Sequence, residues 1–161
     1  MNRNVENILY ATDFAEGSEA ALAYAIGVAN RLGARLQVLV VIPDIRETSL
    51  IEIDGHVPQE RLDQYHDDRA RRARQHMETQ IAAFYAVRAS EAPARPIIEI
   101  EVKESDDVTD LILNEAQTHG ADLIVMGSRG ESALSALLFG SVAQEMARRT
   151  QTPLLLIPMG E

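Results

Sequence analysis

Cysteine is absent from this 161-residue chain, which excludes a disulfide framework and any thiolate-based metal or redox site. Long apolar runs are absent as well: none approaches the roughly 20 residues that a membrane-spanning helix needs. The opening residues, MNRNVEN, are polar and lack the apolar core of a secretory signal. Basic charge is scarce. Fifteen Lys and Arg stand against 25 Asp and Glu, a formal charge of −10. The basic footprint that nucleic acid or an anionic membrane surface requires is therefore missing. Internal repeats and low-complexity tracts are missing too. These absences give the expectation of a cytoplasmic protein with neither nucleic acid nor membrane as partner. An anionic ligand would have to be held by local dipoles and a few basic groups, with a divalent ion as a further aid.

What is present reads as an ordinary globular composition, 46% hydrophobic and 25% charged. The length suits one domain over residues 1–161, large enough to bury a real core. Val5 to Ala11, Leu36 to Ile42 and Leu123 to Met126 are short continuous apolar runs, the pattern of parallel strands covered on both faces. Ile98, Ile100 and Val102 alternate with Glu99, Glu101 and Lys103, so that segment reads as an edge strand with one wet face. Pro153 to Pro158, PLLLIP, is a further strand, too apolar for an exposed edge. Either it lies inside the sheet or another subunit covers it.

Helices alternate with these strands. The first is expected to start at Ser18 as N-cap and to bury Leu22, Ala25, Ile26, Ala29 and Leu32, with Gly33 closing it. Asp44 to Pro58 has no periodicity and reads as a mobile flap. Gln59 to about Ala89 is a long helix whose Arg69, Arg71, Arg72 and Arg74 alternate with acids, the mark of a solvated face. His66 and His76 on this helix read as surface residues. Ser105 is expected to cap a third helix carrying Val108, Leu111, Ile112 and Ala116, with His119-Gly120 at its end. A fourth helix runs from about Ser141 to Arg149.

The order β-α-β-α-β-α-β-α-β implies a parallel sheet, and such sheets bind ligands beyond the carboxyl ends of their strands. The stretch ADLIVMGSRGESALSALLFGSV, Ala121 to Val142, carries the strongest signal there. A buried strand stops on Gly127, Gly130 follows, and Gly140-Ser141 opens a helix. Glycines let a phosphate approach the backbone, and the N–H groups of a helix start point at it. The spacing G-x2-G-x9-G-S is neither a Walker A loop nor a Rossmann fingerprint. It equally suits a plain strand-to-helix turn with Gly140 as a helix cap. Asp13 taken alone also admits the reading of a turn or capping aspartate, the lesser of the two, and Arg129 equally suits an exposed loop arginine. A strand order of 3-2-1-4-5 would put the switch point between the first and fourth strands, with Asp13 and Gly127 facing each other.

The sequence resembles the universal stress proteins of the ATP-binding kind over essentially its whole length. The resemblance is carried by ATDF (Ala11 to Phe14), LVVIPD (Leu39 to Asp44), GADLIVMGSRG (Gly120 to Gly130), LFGSVAQEMARRTQTPLLLIP (Leu138 to Pro158) and the glycine pattern. It implies a single three-layer α/β domain, a five-stranded parallel sheet of order 3-2-1-4-5 with four helices, of the adenine nucleotide alpha hydrolase-like kind. It implies that Thr12, Asp13 and the backbone of Val41 hold the adenine and ribose, that Gly127, Arg129 and Gly130 wrap the phosphates with Gly140, Ser141 and Val142 donating from the helix start, and that Met126 belongs to the same nucleotide site. It also implies ATP, ADP or AMP as ligand, Mg²⁺ as a candidate companion, and a homodimer through Pro153 to Pro158. One departure stands out: the family commonly has Gly-Asp-Pro where this chain has Asp106-Asp107-Val108, and a carboxylate there would repel a triphosphate.

No catalytic residue is identified, because no general-base histidine or Walker lysine can be placed at the loop. The expected function is a cytoplasmic stress-response regulator that binds an adenine nucleotide with little or no turnover. The alternatives are a slow Mg²⁺-dependent ATP hydrolase and a nucleotide-free dimeric interaction protein.

Overall fold

Leu9, Val38 and Leu39 are fully buried, because the strands that carry them lie inside a sheet with helices packed on both faces. The computed structural model describes residues 4–44, 57–91, 94–129 and 140–159. Its strands are β1 (Asn7–Thr12), β2 (Arg35–Pro43), β3 (Ile98–Ser105), β4 (Leu123–Gly127) and β5 (Leu154–Ile157). They form one five-stranded sheet of order β3-β2-β1-β4-β5, parallel throughout. The helices are α1 (Ser18–Leu32), α2 (Gln59–Val87), α3 (Val108–Thr118) and α4 (Ser141–Arg149). The expected fold class and strand order are therefore observed. No helix among the described residues is long and apolar enough to cross a membrane.

Period-two alternation along the strands divides the core in two. Ile8, Tyr10, Val38 and Val40 face α1 and α2, where Leu22, Ile26 and Met77 meet them. Leu9, Ala11, Leu39 and Val41 face α3 and α4, where Ile112, Ala116 and Met146 close the other layer. Each fully buried aliphatic side chain of this kind contributes roughly 1.5–3 kcal/mol.

Several local expectations are corrected. Ser18 is not the cap of α1: Gly17 is, with a left-handed φ of 86°, and Ser18 is buried as the first helical residue while its carbonyl accepts the Tyr10 hydroxyl (3.2 Å). Leu32 is 52% exposed rather than part of the apolar face. Gly33 does close the helix, at φ 65°. Asp107, not Ser105, caps α3, its carboxylate accepting the Asp110 N–H at 3.0 Å. Ser105 instead holds the approach, its hydroxyl oxygen accepting the Asp107 N–H.

His66 and Arg69 also do more than sit on a wet face. Both reach Glu104 at the end of β3, at 2.8 and 3.0 Å, and Arg69 donates to the Pro43 carbonyl at 2.7 Å. They anchor α2 over the β2–β3 edge. His76 is exposed as expected, although its ring meets Phe14 edge-on at 4.5 Å. The strand expected inside the sheet or under a partner, β5, is an edge strand whose Leu154, Leu155 and Leu156 are half-buried. Of the flap expected over Asp44 to Pro58, residues 45–56 lie outside the described residues.

Candidate functional site

After β1 the chain must turn sharply to enter α1, and two side chains hold that turn. Thr12 Oγ1 accepts the Phe14 N–H and Asp13 Oδ1 accepts the Ala15 N–H, both at 3.1 Å. Phe14 takes a left-handed φ of 62°, which costs about 1 kcal/mol or more in a residue other than glycine. The side-chain bonds offset that cost. Asp13 is thus a turn aspartate, and it also lines the cleft beyond the strand ends.

Across the switch point, β4 runs beside β1 with Ala11 opposite Met126. Gly127 therefore emerges next to Thr12-Asp13. Ser128 then ties three segments together. Its N–H donates to the Ile157 carbonyl (2.9 Å), and its own carbonyl accepts the Gly140 N–H (2.8 Å). That second bond pins the start of α4 to the end of β4. The amides of Ser141, Val142 and Ala143 follow in the first turn, where an α-helix has no acceptors of its own to offer them.

The cleft so formed has a volume of about 50 Å³. The ends of the strands supply Thr12, Asp13, Val41, Gly127 and Arg129, and α4 supplies Val142. Six of the ten expected residues thus line one cavity. Met126 does not line it, being buried among α3 and α4 side chains. Gly140 and Ser141 adjoin it without lining it, and the Gly140 N–H is already given to Ser128. Gly130 lies outside the described residues. Asp106 is exposed and does not line the cleft, whereas Val108 does.

Other lining residues carried no local signal. Val108 and Ile112 of α3 add apolar wall, and Tyr10 and Ser18 form the floor. Burial pushes the Tyr10 hydroxyl up to about 12, so it stays a neutral donor. Met159 is a further addition. It follows β5, and because Ile157 lies opposite Gly127 in the β4–β5 register, the chain must pass the glycine as it leaves the sheet. That register, once the strand order is known, is the signal that would have found it.

The charged residues lining the cleft, among those described, are Asp13 and Arg129. Asp13 offers carboxylate oxygens suited to hydroxyl groups, Arg129 a guanidinium suited to phosphate. Val41, Val108 and Ile112 offer apolar surface suited to a flat base. In kind, these residues fit an adenine nucleotide. In space, the cavity is far below the roughly 300–1,000 Å³ of small-molecule sites.

A second cluster of charged groups lies away from the cleft. Glu101, Glu115 and His119 bring ligand atoms within 4.8 Å of one another, but Lys103 already supplies a cation, bonding to Glu115 and lying 3.3 Å from Glu101. Burial pushes the Glu115 carboxyl up, but Lys103, then His119 and Glu101, outweigh it and hold it below the usual range.

The family model described as "Universal stress protein family" matches residues 4–158. The Bacillus subtilis universal stress protein YxiE is 27% identical over 152 residues, 93% of this chain and 97% of the relative. The universal stress protein UspA from Lactobacillus plantarum superposes with a TM-score of 0.75 at 22% identity, covering 97% of this chain and 99% of that one. The universal stress protein from Archaeoglobus fulgidus in complex with dAMP superposes with a TM-score of 0.56 at 18% identity, covering 96% and 99%. With the strand order, the glycine bend and the family match in agreement, the chain belongs to the universal stress protein family.

Proposed function

We infer that residues 1–161 form one domain that binds an adenine nucleotide, ATP in the first instance, and works as a cytoplasmic stress-response regulator with little or no turnover. The observation that carries this reading is the shared cleft: Asp13 and Thr12 at the end of β1 and Gly127 and Arg129 at the end of β4 line one cavity. The base would lie against Val41, Val108 and Ile112, and the ribose hydroxyls would donate to Asp13. The phosphates would meet Gly127, the Arg129 guanidinium and the first-turn amides of Ser141 and Val142. A bound Mg²⁺ would supply countercharge to the phosphates. The dAMP complex of the Archaeoglobus fulgidus relative supports the choice of an adenine ligand.

A homodimer through β5 belongs to the same reading, supported by three half-buried leucines on an edge strand. Native mass spectrometry of the purified protein tests both parts. The expected spectrum is a dimer carrying adenine nucleotide on each chain after incubation with ATP and Mg²⁺. A monomer that remains at its bare mass would refute both.

A further inference from the structure

The residues after β5 are stitched onto the glycine bend. The Ser128 N–H donates to the Ile157 carbonyl at 2.9 Å, and the Met159 N–H donates to Ser128 Oγ at 3.4 Å. The Arg129 guanidinium donates to the Met159 carbonyl. These bonds place the Met159 side chain, 7% exposed, directly over Gly127. A β-carbon on Gly127 would overlap the Met159 sulfur and stand 3.0 Å from its Cγ and Cε. The thioether therefore fills the space beside Gly127 that the missing side chain leaves.

That space and that guanidinium are what a phosphate at this end of the cleft would need. A phosphate gains from glycine because the backbone can be approached closely, and here the close approach is already made by a methionine. It gains from arginine through charge-assisted hydrogen bonds, and here a carbonyl of the same residue accepts one of them. Met159 itself lines the cleft, whose volume is about 50 Å³.

We propose that Met159 is a built-in occupant of the phosphate end of the cleft, so that bound nucleotide and the seated Met159 exclude each other. This rests on the reading that the cleft takes an adenine nucleotide. Apparent affinity is then the intrinsic affinity reduced by the fraction of chains with Met159 withdrawn. Removing the side chain raises it.

The test is calorimetry of ATP with Mg²⁺ on wild type and Met159→Ala, joined to NMR of protein labelled at the methionine methyls. The Met159 methyl is identified as the resonance missing from Met159→Leu. The expected result is ATP binding about tenfold or more tighter in Met159→Ala, and a Met159 methyl that shifts to the free-methionine position as wild type saturates. Equal affinities, or a Met159 methyl unmoved at saturation, overturn the proposal and leave the nucleotide reading intact. If ATP binds neither protein, both fall. Should Met159→Ala not fold, the methyl shift in wild type decides.

Discussion

Ala11 in β1 lies opposite Met126 in β4, in parallel register. The residues that follow them, Thr12-Asp13 and Gly127, consequently leave the sheet side by side, although they come from distant parts of the sequence. The relationship is a property of strand order. With β4 placed anywhere but next to β1, the turn and the glycine would not share a cleft.

Gly127→Ala tests how closely Met159 is seated. The added β-carbon meets the Met159 side chain rather than backbone, so the neighbour can give way at a cost of about 1 kcal/mol. Urea denaturation should show that loss in wild type and little of it in a Met159→Ala background. An equal loss in both backgrounds would mean the two residues are not in contact.

Lys103→Met tests the cluster between β3 and α3. It leaves the Glu115 side chain, 7% exposed, without its ammonium partner. Breaking a fully buried pair costs roughly 3–5 kcal/mol, and the 39% exposure of Lys103 lowers the expectation to about 1–3 kcal/mol at pH 7. Because the folded Glu115 carboxyl is held below its ordinary value of 4.5, its contribution is present above pH 4.5 and disappears as pH falls through the lowered value. Denaturation midpoints of wild type and variant should converge on acidification.

Tyr10→Phe tests the floor of the cleft. At neutral pH the variant loses the bond to the Ser18 carbonyl, worth about 1 kcal/mol. The unfolded hydroxyl ionises near 10 and the folded one only at about 12. Wild-type stability therefore falls as pH rises between those values, by up to about 2–3 kcal/mol. Tyr10→Phe lacks this loss. Its stability deficit should shrink from pH 8 to pH 11, and a constant deficit would contradict the buried neutral hydroxyl.

Much of this was legible from local patterning, and the misses share a cause. Continuous apolar runs located β1, β2 and β4 because strands covered on both faces must be apolar at every position. The Ile-Glu alternation located β3 at an edge for the complementary reason. The strand order came from resemblance, since parallel pairing leaves no local trace. Ser18 and Ser105 look like caps, yet the caps are Gly17 and Asp107: the chain direction at each helix entry is set by the preceding strand, not by the serine. His66 and Arg69 look like members of a solvated face because their partner, Glu104, is a tertiary neighbour. Met159 is invisible for the same reason, as its place over Gly127 follows only from the β4–β5 register.

The central claim is that the cleft between the ends of β1 and β4 takes an adenine nucleotide through Asp13. Calorimetry of ATP with Mg²⁺ against wild type and Asp13→Asn tests it most directly, because Asn keeps a side-chain oxygen for the Ala15 N–H and replaces the other carboxylate oxygen and the charge with an NH2 donor. The account expects one ATP per chain in wild type and an affinity weakened about tenfold or more in Asp13→Asn, with thermal stability little changed. No binding to wild type, or equal binding to both proteins, would contradict it.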